Sequence, residues 1–253
     1  MAKARKTYIF RRGDVIDIEE YHDGKYGAPG KRRVKRSKPT EEQMLIINAQ
    51  QKAKRCRHRL LQYFHTGDCF ATWTYAVGNR PQDMTAAKKD FSKAMRYVRR
   101  QYKKRNRELF WIRNIERGTK GAWHIHLVVN EIGDTLSILE AAWEHGTTWG
   151  SAIKKNDKIY DEDFTKLANY MTKSQNTREV KKDGTLAKQK IKDASYNISR
   201  NMPLPEPKKK KIIRWRKEVK PKKGYYIAAI HEGISPLGFE YRRYTMIRLN
   251  RRI

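Results

Sequence analysis

The chain has 253 residues, 38% of them hydrophobic, which suits one generous domain or one domain with appendages. Its 58 Lys+Arg against 27 Asp+Glu leave a net charge of +31, which repels itself in a compact state and implies a polyanionic partner, nucleic acid ahead of an anionic membrane surface. No apolar run could span a bilayer, Met1-Ala2-Lys3-Ala4-Arg5-Lys6 has no signal-peptide core, and the two cysteines, Cys56 and Cys69, support neither a disulfide framework nor a four-thiolate zinc site, so a cytosolic, reduced setting is expected.

Residues 1–38 are polar and basic, end in Lys31-Arg32-Arg33-Val34-Lys35-Arg36, and read as an N-terminal arm with one short strand at 7–10. Gly24 to Gly30 resembles a phosphate loop, but the spacing is one residue too long and Arg32 stands where Ser or Thr belongs, so no ATPase is read here. Thr40 and Gln43 have capping-box spacing and open a basic helix running to about 65. Residues 69–76, aromatic and β-branched, read as a strand, and Phe91, Met95 and Val98 mark a helix over 85–104. Two strands, 109–117 and 121–130, flank the turn Gly118-Thr119-Lys120, followed by a helix at 135–143, a weak strand at 150–154 and a helix at 161–174. Residues 175–223 read as irregular and very basic, and 225–230 with 241–249 as a terminal strand pair. This order predicts an α+β fold: a central antiparallel sheet of about five strands, ferredoxin-like or RRM-like, with helices mainly on one face. The expected domains are a basic arm at 1–38, a catalytic domain at 39–175 and a basic C-terminal extension at 176–253.

Side chains alternate along a strand, so Trp123, Ile125, Leu127 and Val129 share the buried face and His124 and His126 point to the other. Glu116, at the end of the preceding strand and in phase with Phe110, Ile112 and Asn114, falls close to the paired histidines. Two imidazoles and a carboxylate with open positions suit a divalent ion, although Glu116 could equally serve as a cross-strand partner of Lys120 or Arg113. Tyr170 and Lys173, three residues apart on the helix whose apolar stripe is Phe164, Leu167 and Met171, form a candidate nucleophile pair. A neighbouring ammonium favours the phenolate and steadies charge developing on a phosphate.

Glu116, then His124-Ile125-His126, then Tyr170-Met171-Thr172-Lys173 on a later helix, resembles the HUH endonuclease superfamily. More narrowly, the pattern resembles single-tyrosine rolling-circle replication initiators of plasmids, phages and circular single-stranded DNA viruses. The family's first motif, an apolar strand, corresponds to Phe70-Ala71-Thr72-Trp73-Thr74-Tyr75, and the likeness covers about 69–175. Tyr196-Asn197-Ile198-Ser199-Arg200-Asn201-Met202-Pro203 is similar to a segment that follows the core in phage-type relatives. Some phage initiators carry two tyrosines on the catalytic helix, whereas only Tyr170 stands here.

The resemblance implies Mg2+ or Mn2+ held by Glu116, His124 and His126. It implies nicking of single-stranded DNA at a replication origin by Tyr170 with Lys173, giving a 5′-phosphotyrosyl link and a free 3′-OH. Arg113, Lys120 and Arg200 are expected to contact DNA, a separate helicase is expected as partner, and the setting is the cytoplasm of a bacterial host. No oligomeric state is read from the sequence. Competing readings are an HUH transposase or relaxase, a basic RRM-like binding protein stacking bases on Trp73, Tyr75 and Trp111, and a zinc hydrolase or non-haem iron oxygenase.

Overall fold

A computed structural model of the chain describes residues 3–22, 38–156, 158–177, 187–212, 217–235 and 238–249. The elements in chain order are β1 (Lys3–Phe10), β2 (Val15–His22), α1 (Glu41–Tyr63), β3 (Cys69–Thr74), α2 (Met84–Lys104), β4 (Trp111–Gly118), β5 (Trp123–Val129), α3 (Thr135–Ala142), β6 (Thr148–Ala152), α4 (Thr165–Met171), β7 (Ile191–Ile198), β8 (Lys208–Ile212), β9 (Tyr225–Ile234) and β10 (Glu240–Arg248). They form two compact units, Tyr63–Pro203 and the pairing of Met1–Gln62 with Leu204–Ile253. The α+β class is as expected, with two antiparallel five-stranded sheets among the described residues rather than one. No helix among those residues is long and apolar enough to cross a membrane.

The Tyr63–Pro203 unit has strand order β6-β3-β5-β4-β7. One face of this sheet carries Ala71, Trp73, Trp111, Ile115, Ile125 and Leu127, packed with α2 and α3 into a dry core. There the Trp73 and Trp143 rings stack at 4.8 Å. Burying each such large side chain contributes about 1.5–3 kcal/mol, so this face is fixed energetically before any polar group is considered. The Asp83 side chain caps α2 by accepting from the Ala86 amide at 2.8 Å. Gly150 is required because a Cβ there would meet Leu136 Cδ1 at 2.4 Å.

The other unit has strand order β8-β1-β2-β10-β9. Its polar interior is satisfied by ion pairs. Asp17, fully buried, faces the Arg57 guanidinium, His58 Nε2 at 3.1 Å and the Thr245 hydroxyl, which donates at 2.9 Å. Glu20 receives Arg5 on one carboxylate oxygen and Arg242 on the other, each at 2.6 Å. Burial works to raise the Asp17 pKa, but Arg57 and His58 together outweigh it and hold the carboxyl below its ordinary range. On α1 the capping box forms as expected: the Gln43 amide donates to Thr40 Oγ1 at 3.2 Å, and the Thr40 amide donates to Gln43 Oε1 at 2.9 Å.

Three expectations are corrected. Residues 3–22 of the expected arm are β1 and β2, interior strands of a sheet; Lys31–Arg36 and the Gly24–Gly30 stretch lie outside the described residues. The region read as irregular contains β7 and β8, each an edge strand of its sheet. The last helix is shorter than expected, because Phe164 sits at φ 57 in the left-handed region and cannot continue a helix upstream. The residues thus group differently from the expected division at 38 and 175.

Arg57→Met should destabilise the fold by about 3–5 kcal/mol, because Asp17 keeps its buried charge and loses its main cation. Urea unfolding measures the change, and a loss below about 1 kcal/mol would mean that His58 and Thr245 suffice. The Asp17 contribution should be complete above its unfolded-state pKa of about 4 and disappear as pH falls through the depressed folded value.

Candidate active site

The register of β3, β5 and β4 lays the polar residues of the free face in two rows. Thr72, His126 and Asn114 pair across the three strands, as do Thr74, His124 and Glu116. The first row continues to Trp149 on β6 and Tyr196 on β7. The histidines therefore face away from the core, as the alternation predicts, and Glu116 lies directly beside His124.

Tyr170, in the last turn of α4, is brought over the first row. Its hydroxyl stands 3.4 Å from both ring nitrogens of His126, so it points between them rather than along either lone pair. The two rings meet nearly edge-on at 5.0 Å. Phe70 packs against Tyr170 at 5.8 Å, also edge to face, and excludes water from one side. Lys173 lies just past the end of the helix, and its ammonium sits 4.6 Å from the centre of the Tyr170 ring. Burial, with the Glu116 and Tyr160 charges, pushes the Tyr170 pKa up to about 12, so the phenol stays protonated at neutral pH. Burial and His126 lower the His124 pKa against the opposing pull of Glu116, which leaves the ring neutral and its lone pair available. Glu116, His124, Tyr170 and Lys173 line a pocket of about 250 Å³ together with Lys188 and Lys190.

Two supporting residues were not singled out for these roles from the sequence. Thr72 Oγ1 contacts His126 Nδ1 at 3.1 Å and orients the ring. Asn114, fully buried, donates to Glu116 Oε1 at 2.8 Å and to the Lys173 carbonyl at 3.0 Å. It thus ties the carboxylate to the end of the helix that carries Tyr170, while its own Oδ1 has no partner. Alternation in phase with the histidines was the signal that could have found both.

As a metal set, the residues have suitable chemistry: two neutral-capable imidazoles, one carboxylate, and an unpartnered amide oxygen on the same face. Glu116 Oε2 and His126 Nε2 are 3.7 Å apart, close to the separation of two ligands on one ion, while the His124 and His126 rings are parallel with centres 6.2 Å apart. Among the described residues, only Asp17, Glu19 and His58 have ligand atoms all within 4.8 Å of one another. Those three are already committed to Arg57, Lys54 and Thr245, so that group is an ion-pair network.

The expected DNA contacts are not all brought together. Lys120 is exposed in the β4–β5 turn. Arg113 is on the opposite, helix-covered face, its guanidinium 4.8 Å from the Phe91 ring centre, and Arg200 follows β7 on that same side. Trp73, Tyr75 and Trp111 are buried in the core and cannot stack bases as the RRM-like reading requires.

Residues 68–175 match the model of a family of replication-associated proteins, the ORF2 type. The match covers less than half of the chain's 253 residues and spans Glu116, both histidines, Tyr170 and Lys173. It supports a role in replication initiation. No match was found among curated proteins or among solved structures.

Glu116→Gln should bring the Tyr170 pKa down from about 12 only part of the way, since removing one negative neighbour leaves the burial cost in place. NMR titration with ring-labelled tyrosine reads this directly. An unmoved value would mean that burial alone sets it.

Proposed function

We propose that the chain nicks one strand of DNA to start replication, using Tyr170 as nucleophile. The observation that carries this reading is the placement of the Tyr170 hydroxyl 3.4 Å from His126, on the one sheet face that also holds His124 and Glu116. The Tyr170 oxygen attacks a backbone phosphorus as its proton leaves, the P–O3′ bond breaks, and the departing oxygen takes up a proton to become a 3′-OH. The strand stays attached as a 5′-phosphotyrosyl ester, which keeps a phosphodiester's bond count and lets a later attack rejoin it.

Glu116, His124 and His126 would hold Mg2+ or Mn2+, with the Asn114 carbonyl beside them. When bound, such an ion supplies Lewis acidity at a non-bridging phosphate oxygen and cancels the Glu116 charge that burdens the Tyr170 phenolate. Lys173 steadies the negative charge of phenolate and phosphate from the solvent side of the tyrosine ring. Thr72 and Asn114 keep His126 and Glu116 from swinging away. Trp149 on β6, 57% exposed on the histidine face, offers a surface for stacking an unpaired base. The sequence holds no intact nucleotide-binding loop, so strand separation falls to supercoiling or to a separate helicase.

Incubation with a random pool of single-stranded DNA and Mn2+ should give a protein–DNA adduct that survives denaturation. Tyr170→Phe should abolish it while leaving DNA affinity unchanged within about twofold, because no phosphate-binding charge is removed. An adduct retained by the Phe variant would place the nucleophile elsewhere.

His124→Ala or His126→Ala should also eliminate the adduct, and EDTA should silence the unaltered chain. Adduct formation persisting in EDTA would sink the metal reading while leaving the tyrosine chemistry intact.

A further inference from the structure

The sheet of the Tyr63–Pro203 unit has a second feature on the face away from the histidines. Between α2 and the β4–β7 edge lies a cleft of about 640 Å³. Four arginines line it: Arg96 and Arg99 from α2, Arg113 from β4 and Arg200 after β7, with the amides of Asn197 and Asn201 alongside and no carboxylate. Arg113 is 4% exposed. Its Nη1 donates to the Ser195 carbonyl at 2.7 Å, and its Nε has no hydrogen-bond partner. Burial lowers its pKa to about 10, which still leaves the guanidinium charged at neutral pH.

A buried guanidinium without a counterion is costly, and three further arginines at the same cleft add like-charge repulsion. Neighbouring cations do find partners: Lys93 pairs with Glu144 at 2.9 Å and Arg105 with Asp134 at 2.5 Å. Among the described residues no acidic group pairs with Arg96, Arg99, Arg113 or Arg200. The arrangement is explained if the missing charge comes from outside.

We propose that this cleft binds backbone phosphates of a DNA segment other than the one held at the histidine face. Arg96 and Arg99 are continued by Arg100 and Lys103 at helical spacing, a basic line over about 10 Å of the α2 axis. Such a line suits a run of phosphates better than a single small anion. The planar guanidinium fork pairs with two oxygens of one phosphate. The cleft and the histidines lie on opposite faces of one sheet, so a strand occupying both must pass around the sheet, which makes the cleft an anchor rather than part of the cutting site. The proposal rests on the reading that the chain acts on DNA.

The test compares the unaltered chain with Arg96→Ala/Arg99→Ala, two exposed positions whose loss leaves the core untouched. Binding of a short and a long oligothymidylate is measured over a range of KCl concentrations. On the long strand the variant should bind several-fold more weakly, with a log–log salt slope shallower by about 0.7 for each phosphate no longer neutralised. On the short strand, sufficient only for the histidine face, affinity and Tyr170 adduct formation should be unchanged. An unaltered slope on the long strand would overturn the proposal, as would an equal loss on the short one, which would put these arginines on the cut strand. A chain that binds both strands but forms no adduct would refute the nicking reading and leave the cleft standing.

Discussion

Strict alternation of side chains across three adjacent strands, with one face of the sheet driven dry, is the constraint on which the site depends. Trp123, Ile125, Leu127 and Val129 commit β5 to the core, and His124 and His126 then have nowhere to go but the opposite face. A slip of one residue would exchange the two sets, at the cost of burying two imidazoles and exposing four large apolar groups. The free energy that holds the candidate catalytic groups in place therefore comes from residues that never touch substrate. The same logic ties Thr72 and Asn114 to His126 through register alone.

The electrostatics of that face are held in tension. A phenol shifted up by burial, a neutral imidazole and a carboxylate stand within a few ångströms, and each raises the cost of ionising its neighbour. Lys173 relieves part of this from above the ring. Asn114 spends both of its N–H donors on fixing Glu116 and the Lys173 carbonyl. The site is thus arranged for a state in which more positive charge is present than the polypeptide supplies, which is the condition a cation and a phosphate create together.

Much of the Tyr63–Pro203 unit was legible because its elements are locally decisive. The period-two pattern at 123–129 and the helical spacing of Phe91, Met95 and Val98 require no distant partner to be read. β7 was missed because Ile191-Lys192-Asp193-Ala194-Ser195-Tyr196-Asn197-Ile198 shows no alternation; only pairing with β4 makes it a strand. β8 was missed because four consecutive lysines read as a solvated run, yet they form an edge strand whose charge discourages further pairing. β1 and β2 looked like a loose arm because Asp17 and Glu20 are unburiable until Arg57 and Arg242 arrive. The placement of Arg113 was legible: it alternates with Trp111 and Ile115, both core residues, and should have been assigned to their face.

The strand order β8-β1-β2-β10-β9 has a consequence for how the molecule is made. Ile16 on β2 pairs with Met246 on β10, so the first strands to leave the ribosome wait through nearly the whole of translation for their neighbours. The sheet bearing the histidines is complete once β7 has emerged, well before the other can close. Vectorial synthesis therefore assembles the candidate active site first, while the hairpin of β1 and β2 remains an open-edged nascent segment with two buried-type acids still in water.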